Sequence, residues 1–391
     1  MIPKKKIVND PIHGFIDIPA GIVYDLLEHP WMQRLRDIKQ LGLSHLVYPG
    51  ACHSRLGHAL GAMHLMKEAI LSLRAKGHDI TDDEMEAALC AILLHDIGHG
   101  PFSHTLESAI VEKVHHEQLS LLFMKHLNEQ FDGRLGKAIE IFEGKHKKRF
   151  LHQLVSGQLD VDRLDYLLRD SFFSGVIEGM IGVERILKML DVVDDELVVE
   201  AKGIYSVEKF LISRRLMYWQ VYLHKTVIAA DRLLLEILSR ARSLMHERVQ
   251  VFASPALAYF LKELPALHDF ESGEALRLFA LLDDSDIDCA IKVWMQHEDK
   301  TLSDLSRMLI HRRLPNIELR GHPFEEDDLK KAGPVVWCGE ISNKGYEGGV
   351  EKIKIRMHGG ALRDIYEVSD MLNSQAFSKV TKKYYLCYPK E

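Results

Sequence analysis

Residues 81–97, TDDEMEAALCAILLHDI, read as a helix with almost no polar face. Thr81 and Glu84 stand in capping-box spacing at its start, and Gly98, Gly100 and Pro101 stop it. Ala88, Leu89, Ala91, Ile92, Leu93 and Leu94 follow so closely that such a helix is surrounded on most sides by other helices. His95 and Asp96 then fall in its last turn. Helical signals dominate elsewhere too, over 58–77 (closed by Gly77), 159–172 and roughly 206–247, while 250–330 alternates helical pattern with polar breaks such as DDSDID. After about residue 330 the runs GPVVWCGEI, EKIKIRMHG and KYYLCYPK are short, β-rich and separated by glycine. The expected fold class is mainly α: a helical core over 1–245, a helical extension over 246–329 and a small α+β C-terminal unit over 330–391.

Composition narrows the function classes. Fifty basic against 57 acidic residues leave a net charge of −7, too negative for a protein that coats nucleic acid through bulk charge. Nucleic acid is not indicated, and any phosphate binding must be local. The five cysteines, Cys52, Cys90, Cys289, Cys338 and Cys387, are widely spaced and form no CxxC pair, so neither a disulfide framework nor a thiolate zinc site is expected. The start, MIPKKKIVND, lacks an apolar h-region, and no apolar run approaches the ~20 residues that span a bilayer. The expectation is a cytoplasmic protein with no membrane partner.

The stretch LLHDIGHGPFSH concentrates imidazoles at the end of the apolar helix. A single histidine there reads as a cap or core residue. An Asp96 carboxylate buried beside His95 costs several kcal/mol unless a cation or strong hydrogen bonds compensate. A divalent metal is the simplest compensation, and imidazole plus carboxylate without thiolate favours manganese, iron, magnesium, zinc or nickel with positions left open.

The chain resembles the HD-domain phosphohydrolases, whose pattern is a His, a His-Asp pair and a distant Asp on one metal. The matching positions are His58 in HSRLGH, His95 and Asp96 in LLHDIGHG, and Asp162 in QLDVDRLDYLLRD. The surrounding motifs NDPIHG, QRLRDIKQLG, PGACHSRLGHALG, HDIGHGPFSH, HHEQ and DVDRLDYLLRD are similar to the deoxynucleoside triphosphate triphosphohydrolases, in the branch of the animal sterile-alpha-motif and HD-domain enzyme. The resemblance covers roughly residues 3–240 and implies an HD-domain catalytic core there. It also implies a reaction in which water attacks the α-phosphorus of a dNTP such as dGTP, releasing deoxynucleoside and inorganic triphosphate.

What the resemblance implies for individual residues is specific. His104 matches the family's acid with Glu107 orienting it, although the animal enzyme has Asp there; His99 and His116 match positions that contact phosphates. Arg55, Arg163 (lysine in the animal enzyme) and Arg214 match phosphate-binding cations, a role that suits the guanidinium fork. Asp162, Tyr166 and Asp170 recur at i, i+4 and i+8, and the family uses this Tyr and Asp at the sugar 3′-hydroxyl, with Gln40 a further sugar contact. Arg214, Tyr218, Tyr222 and Lys225 recur at i, i+4, i+8 and i+11, a spacing that an amphipathic helix with half-buried tyrosines also satisfies. The match assigns Tyr222 to the space beneath C2′, while Tyr218 replaces a histidine of the animal enzyme.

The expected partners are a nucleotide substrate, a nucleotide activator and further copies of the chain in a dimer or tetramer. Asn9, Gln33 and Arg36 keep the N-terminal part of the activator pattern, but Glu28 replaces the Asp that reads guanine. Two alternatives stand beside this reading. One is an HD phosphohydrolase of a nucleoside monophosphate, cyclic dinucleotide or guanosine polyphosphate, which needs the metal quartet but not the extra cations. The other is a non-catalytic nucleotide-regulated scaffold, for which damaged ligands are expected.

Overall fold

The structure, a computed structural model, describes residues 6–106, 111, 114–332, 337–343, 352–372 and 381–388. The fold is mainly α, as the patterning predicts. It opens with an antiparallel hairpin, β1 (Lys6–Asp10) and β2 (Gly14–Ile18), in register Lys6↔Ile18 to Asp10↔Gly14. Asp10 Oδ1 accepts the backbone N–H of Ile12 and of His13, each at 2.9 Å, so a side chain shapes this turn. Ile16 and Ile18 then bury the inner face of β2.

Helices α1 (Arg55–Ala75) and α2 (Asp82–Leu94) form the centre. Helix α1 begins before His58 because the Ser54 hydroxyl caps Gly57 N–H. The capping box of α2 forms as expected, Glu84 N–H on Thr81 Oγ1 at 3.2 Å and Thr81 N–H on Glu84 at 2.9 Å. Residues 87–94 are all buried, walled by α1 and by helices Ile22–Glu28, Gly136–Phe142 and Arg149–Val155. Helix α2 ends at Leu94, so His95 and Asp96 lie in the tight turns that follow, closed by Ile97 N–H on Leu94 O and His99 N–H on Asp96 O. Gly98 permits the next approach: a Cβ there would stand 2.2 Å from His116 O, at the head of α3 (His116–Gln130).

Helix α4 (Val161–Ser174) starts on the Asp160 cap and packs along α1. The single helix predicted over 206–247 is instead α5 (Ile204–Met217), a π-helical turn over Tyr218–Tyr222, and α6 (Lys225–His246). His224 is extended and its ring accepts Thr226 N–H, which restarts the chain in a new helix. The expected common face of Arg214, Tyr218, Tyr222 and Lys225 is therefore interrupted, and Lys225 is exposed at the head of α6. DDSDID is also no break: Asp283 caps α7 (Asp284–Trp294), and Asp284 is buried in its first turn.

Two small sheets complete the fold. Strands β3 (Leu190–Val193), β4 (Glu196–Glu200), β7 (Lys354–Arg356) and β8 (Leu362–Asp364) form one, and β5 (Asn316–Arg320), β9 (Thr381–Tyr388) and β6 (Trp337–Asn343) the other. Strand β7 adds in parallel to β4, Val198↔Lys354, and β9 pairs with β5, Asn316↔Tyr388. The segment after residue 330 thus shares sheets with both regions before it. Among the described residues no helix is long and apolar enough to cross a membrane.

Candidate metal centre and cavity

Three elements converge on one point: α1 presents His58, the turn after α2 presents His95 and Asp96, and the first turn of α4 presents Asp162. Asp162 Oδ1 lies 3.0 Å from His58 Nε2 and 3.5 Å from His95 Nε2. Asp96 Oδ1 is 3.3 Å from His95 Nε2, and its Oδ2 is 3.8 Å from His58 Nε2. The other ring nitrogens are committed, His58 Nδ1 donating to Asp165 at 2.8 Å and His95 Nδ1 to Ile92 O at 2.6 Å. Both Nε2 atoms are buried without a hydrogen-bond partner.

With Nδ1 donating, a neutral imidazole turns a lone pair toward a carboxylate, and that juxtaposition demands positive charge between them. Burial opposes charge on His58, yet Asp162 and Asp165 override it and raise its pKa to about 10. His95 is raised as well, while Asp96 and Asp162 are held well below the usual carboxylate range despite burial. The ligating atoms of His58, His95 and Asp162 lie within 4.8 Å of one another, so the residues present fit a divalent metal. Asp96, His99 and His116 form a second such group, with His99 Nδ1 3.4 Å from Asp96 Oδ1 and the two rings 3.9 Å apart.

Behind His58 stands a buried hub that sequence reasoning missed. Asp165 accepts from His58, from His13 Nε2 at 2.6 Å, and from Arg169 Nε and Nη2 at 2.8 and 3.0 Å. Arg169 Nη1 donates in turn to Asp10 Oδ2 at 2.8 Å, tying the hairpin turn to the metal ligand. Gly61 of α1 makes room for the hub, since a Cβ there would fall 2.0 Å from Asp165 Oδ1 and 2.3 Å from Arg169 Nη2. Gly61→Ala is therefore expected to destabilise the fold by ~1–3 kcal/mol, the usual cost of overpacking. A calorimetric melting temperature equal to that of the parent protein would show that the hub yields without cost.

A cavity of about 380 Å³ opens over the centre. It gathers Asp96, Asp162, Arg55, His99 and His116, together with Gln40, Tyr166, Asp170, Tyr218 and Tyr222. Arg55 donates to Asp96 Oδ2 and, at 2.8 Å, to Ser103 Oγ. Gln40 Oε1 is buried with no hydrogen-bond partner among the described residues. Asp170 is held from both sides, by Tyr222 Oη and by His53 Nε2, each at 2.8 Å. The Tyr222 ring meets Tyr166 edge-on at 6.1 Å and Tyr218 at 5.1 Å. Burial and Asp170 push the Tyr222 phenol well above its ordinary pKa, so it stays protonated.

Other expected residues are not brought to the wall. Arg163 donates to Gly157 O and to Asp160, the cap of its own helix, and Arg214 Nη1 lies 3.4 Å from Gln158 Oε1 with its guanidinium 5.9 Å over the Tyr218 ring. Neither lines the cavity. Glu107 and the side chain of His104 lie outside the described residues. The backbone leading to His104 is constrained: Phe102 and Ser103 have φ of 52° and 55°, and buried Asp284 accepts Phe102 N–H at 2.7 Å. Of the activator pattern, Gln33 Oε1 accepts from Arg36 at 2.6 Å and Glu28 pairs with Lys6, and neither these four nor Asn9 line the cavity.

The family model described as HD domain matches residues 55–170, and that described as HD associated region matches 181–258. Uncharacterized protein YwfO of Bacillus subtilis is 32% identical over all of this chain and 93% of its own length. The deoxynucleoside triphosphate triphosphohydrolase SAMHD1 of Homo sapiens is 30% identical over 60% of this chain, and its homolog in Dictyostelium discoideum 34% identical over 56%. The chain spans only 44% and 46% of those two proteins. A crystal structure of a phosphohydrolase from Bacteroides thetaiotaomicron superposes with a TM-score of 0.95 and 51% identity, covering 99% of this chain and 100% of that one.

Proposed function

The chain belongs to the HD-domain phosphohydrolases, and from that membership we propose that it hydrolyses deoxynucleoside triphosphates to deoxynucleoside and inorganic triphosphate in a metal-dependent reaction. The observation that carries the reading is the buried His58, His95 and Asp162 cluster opening onto one cavity that also holds Arg55, His99 and His116 beside a set of tyrosines. A bound divalent ion would supply a Lewis acid for the α-phosphate and a water of lowered pKa. His58, His95, Asp96 and Asp162 hold it in this reading.

The chain's own groups do the rest. Arg55, His99 and His116 offset the charge of the phosphates at the metal-side wall. In this reading Arg163 exchanges Gly157 and Asp160, and Arg214 exchanges Gln158, for phosphate oxygens when substrate binds. The water oxygen bonds to the α-phosphorus and sheds a proton to solvent, the bond from phosphorus to the 5′-oxygen breaks, and His104, oriented by Glu107, passes its proton to that oxygen and regains one from solvent. Gln40, Tyr166 and Asp170 take the sugar hydroxyl, Asp170 being fixed for this by His53 and Tyr222. Tyr218 closes the aromatic wall. The reading includes assembly as a homo-oligomer.

A substrate panel tests this. Metal-loaded protein should turn over dNTPs and leave nucleoside monophosphates, cyclic dinucleotides and guanosine polyphosphates intact. Turnover of one of the latter with dNTPs untouched would assign the site to a different HD chemistry, and turnover of none would favour a scaffold.

The tyrosines set a second expectation. With the Tyr222 ring beneath C2′, a ribose 2′-hydroxyl meets carbon rather than water, at a cost of ~1–3 kcal/mol. Tyr222→Ala should therefore raise kcat/KM for GTP relative to dGTP by roughly ten- to hundredfold. Tyr166→Phe should weaken both alike, because it touches the 3′-hydroxyl they share. An unchanged ratio in folded, metal-loaded Tyr222→Ala would place the sugar elsewhere.

A further inference from the structure

Part of the cavity wall comes from elements that carry no metal-ligating residue: Leu41, Gly42 and Ser44, and the first turns of α6 through Val227 and Asp231. Val227 and Asp231 are one helical turn apart and share a face. Thr105 Oγ1 donates to Asp231 Oδ1 at 2.9 Å, and no cation pairs with this carboxylate among the described residues. Burial pushes it up to about 7, with only the Thr105 bond opposing. Acid and carboxylate are then both populated near neutrality, and a ligand that brings donors to this side chain favours the carboxylate.

Phosphate is not such a ligand, because it brings like charge. The flanking surface, Leu41, Leu223, Val227 and the Tyr218 ring, suits a flat aromatic body with N–H groups on its edge. A nucleobase has that form. Guanine sets its N1–H beside its 2-amino group, two adjacent donors that match two carboxylate oxygens. Adenine and cytosine put a ring-nitrogen lone pair beside their amine, and thymine flanks its one N–H with carbonyls. Resting on the dNTP reading above, we propose that Asp231, held by Thr105, selects guanine by accepting from its N1–H and 2-amino groups.

The test compares dGTP, dITP (which lacks the 2-amino group), dATP, dCTP and dTTP on the metal-loaded protein. It measures kcat/KM for each and, by calorimetry, the binding of the α,β-methylene analogues of dGTP and dITP. The expected result is at least a roughly tenfold preference for dGTP over dITP and dATP. Asp231→Asn, nearly isosteric, should bring that ratio within about threefold of unity, and Thr105→Val should lower it partway. Equal treatment of dGTP and dITP by the parent protein, or a preference that survives Asp231→Asn, overturns the proposal while dNTP hydrolysis stands. Absence of turnover for every dNTP strikes the functional reading instead, and the calorimetric arm still reports on Asp231.

Discussion

Asp162→Ala is expected to hold well under one equivalent of divalent metal and to lose hydrolysis by roughly a thousandfold or more. Asp162 Oδ1 is a single oxygen that both Nε2 lone pairs face, at 3.0 and 3.5 Å, so its removal takes away the carboxylate oxygen nearest to His58 Nε2 and leaves only Asp96 beside the two imidazoles. A metal supplies several kcal/mol of transition-state stabilisation, which sets the size of the loss. The Asp162 side chain is about a quarter exposed, at 26%, in the first turn of α4, so the fold should survive its truncation and circular dichroism should match the parent. His58→Ala should lose metal likewise. Elemental analysis showing full metal in both variants would remove the proposed centre.

Asp165→Ala should be among the most damaging single changes to stability. Asp165 is fully buried and accepts from His13, His58 and twice from Arg169, so its loss leaves Arg169 with Asp10 alone. Breaking one partner of a buried ion pair costs ~3–5 kcal/mol. His58 also loses the bond that fixes its ring, which should weaken metal binding by roughly 10–100-fold. Burial alone would raise the Asp165 carboxyl, but Arg169, His13 and His58 hold it well below the usual range. The stability it contributes is thus complete above the unfolded carboxylate pKa of ~3.9 and is lost only as pH falls through the lower folded value. Denaturant titrations from pH 6 to pH 8 should show the same deficit throughout; a deficit under about 1 kcal/mol would mean the hub is not coupled as the geometry indicates.

Local patterns carried much of the fold and site. The capping box and apolar run of α2 needed only neighbours in sequence, and so did the Asp162, Tyr166 and Asp170 stripe, which reaches the cavity as its spacing implies. What was not legible depends on contacts made at a distance. Asp165 sits three residues after Asp162 among other charges, and only the arrival of His13 and His58 distinguishes it from a solvated side chain. The DVDRLDYLLRD run does contain its i, i+4 pair with Arg169, a signal that could have raised the question. Arg163, expected at the phosphates, is tied here to the helix cap beside it, Asp160, a partner that its sequence neighbourhood does not single out. The π turn at Tyr218–Tyr222 and the break at His224 leave the apolar period intact, so a pattern reading joins α5 to α6. Asp284 looked like part of a polar break because its partners, Phe102 and Lys39, lie far back in the sequence.

The most direct measurement is phosphorus NMR of dGTP hydrolysis by the manganese-loaded protein in water enriched in oxygen-18. The account predicts inorganic triphosphate as the sole phosphorus product, labelled at a terminal phosphorus and matched mole for mole by unlabelled deoxyguanosine. Pyrophosphate with dGMP, orthophosphate with dGDP, or label in the deoxyguanosine would contradict it.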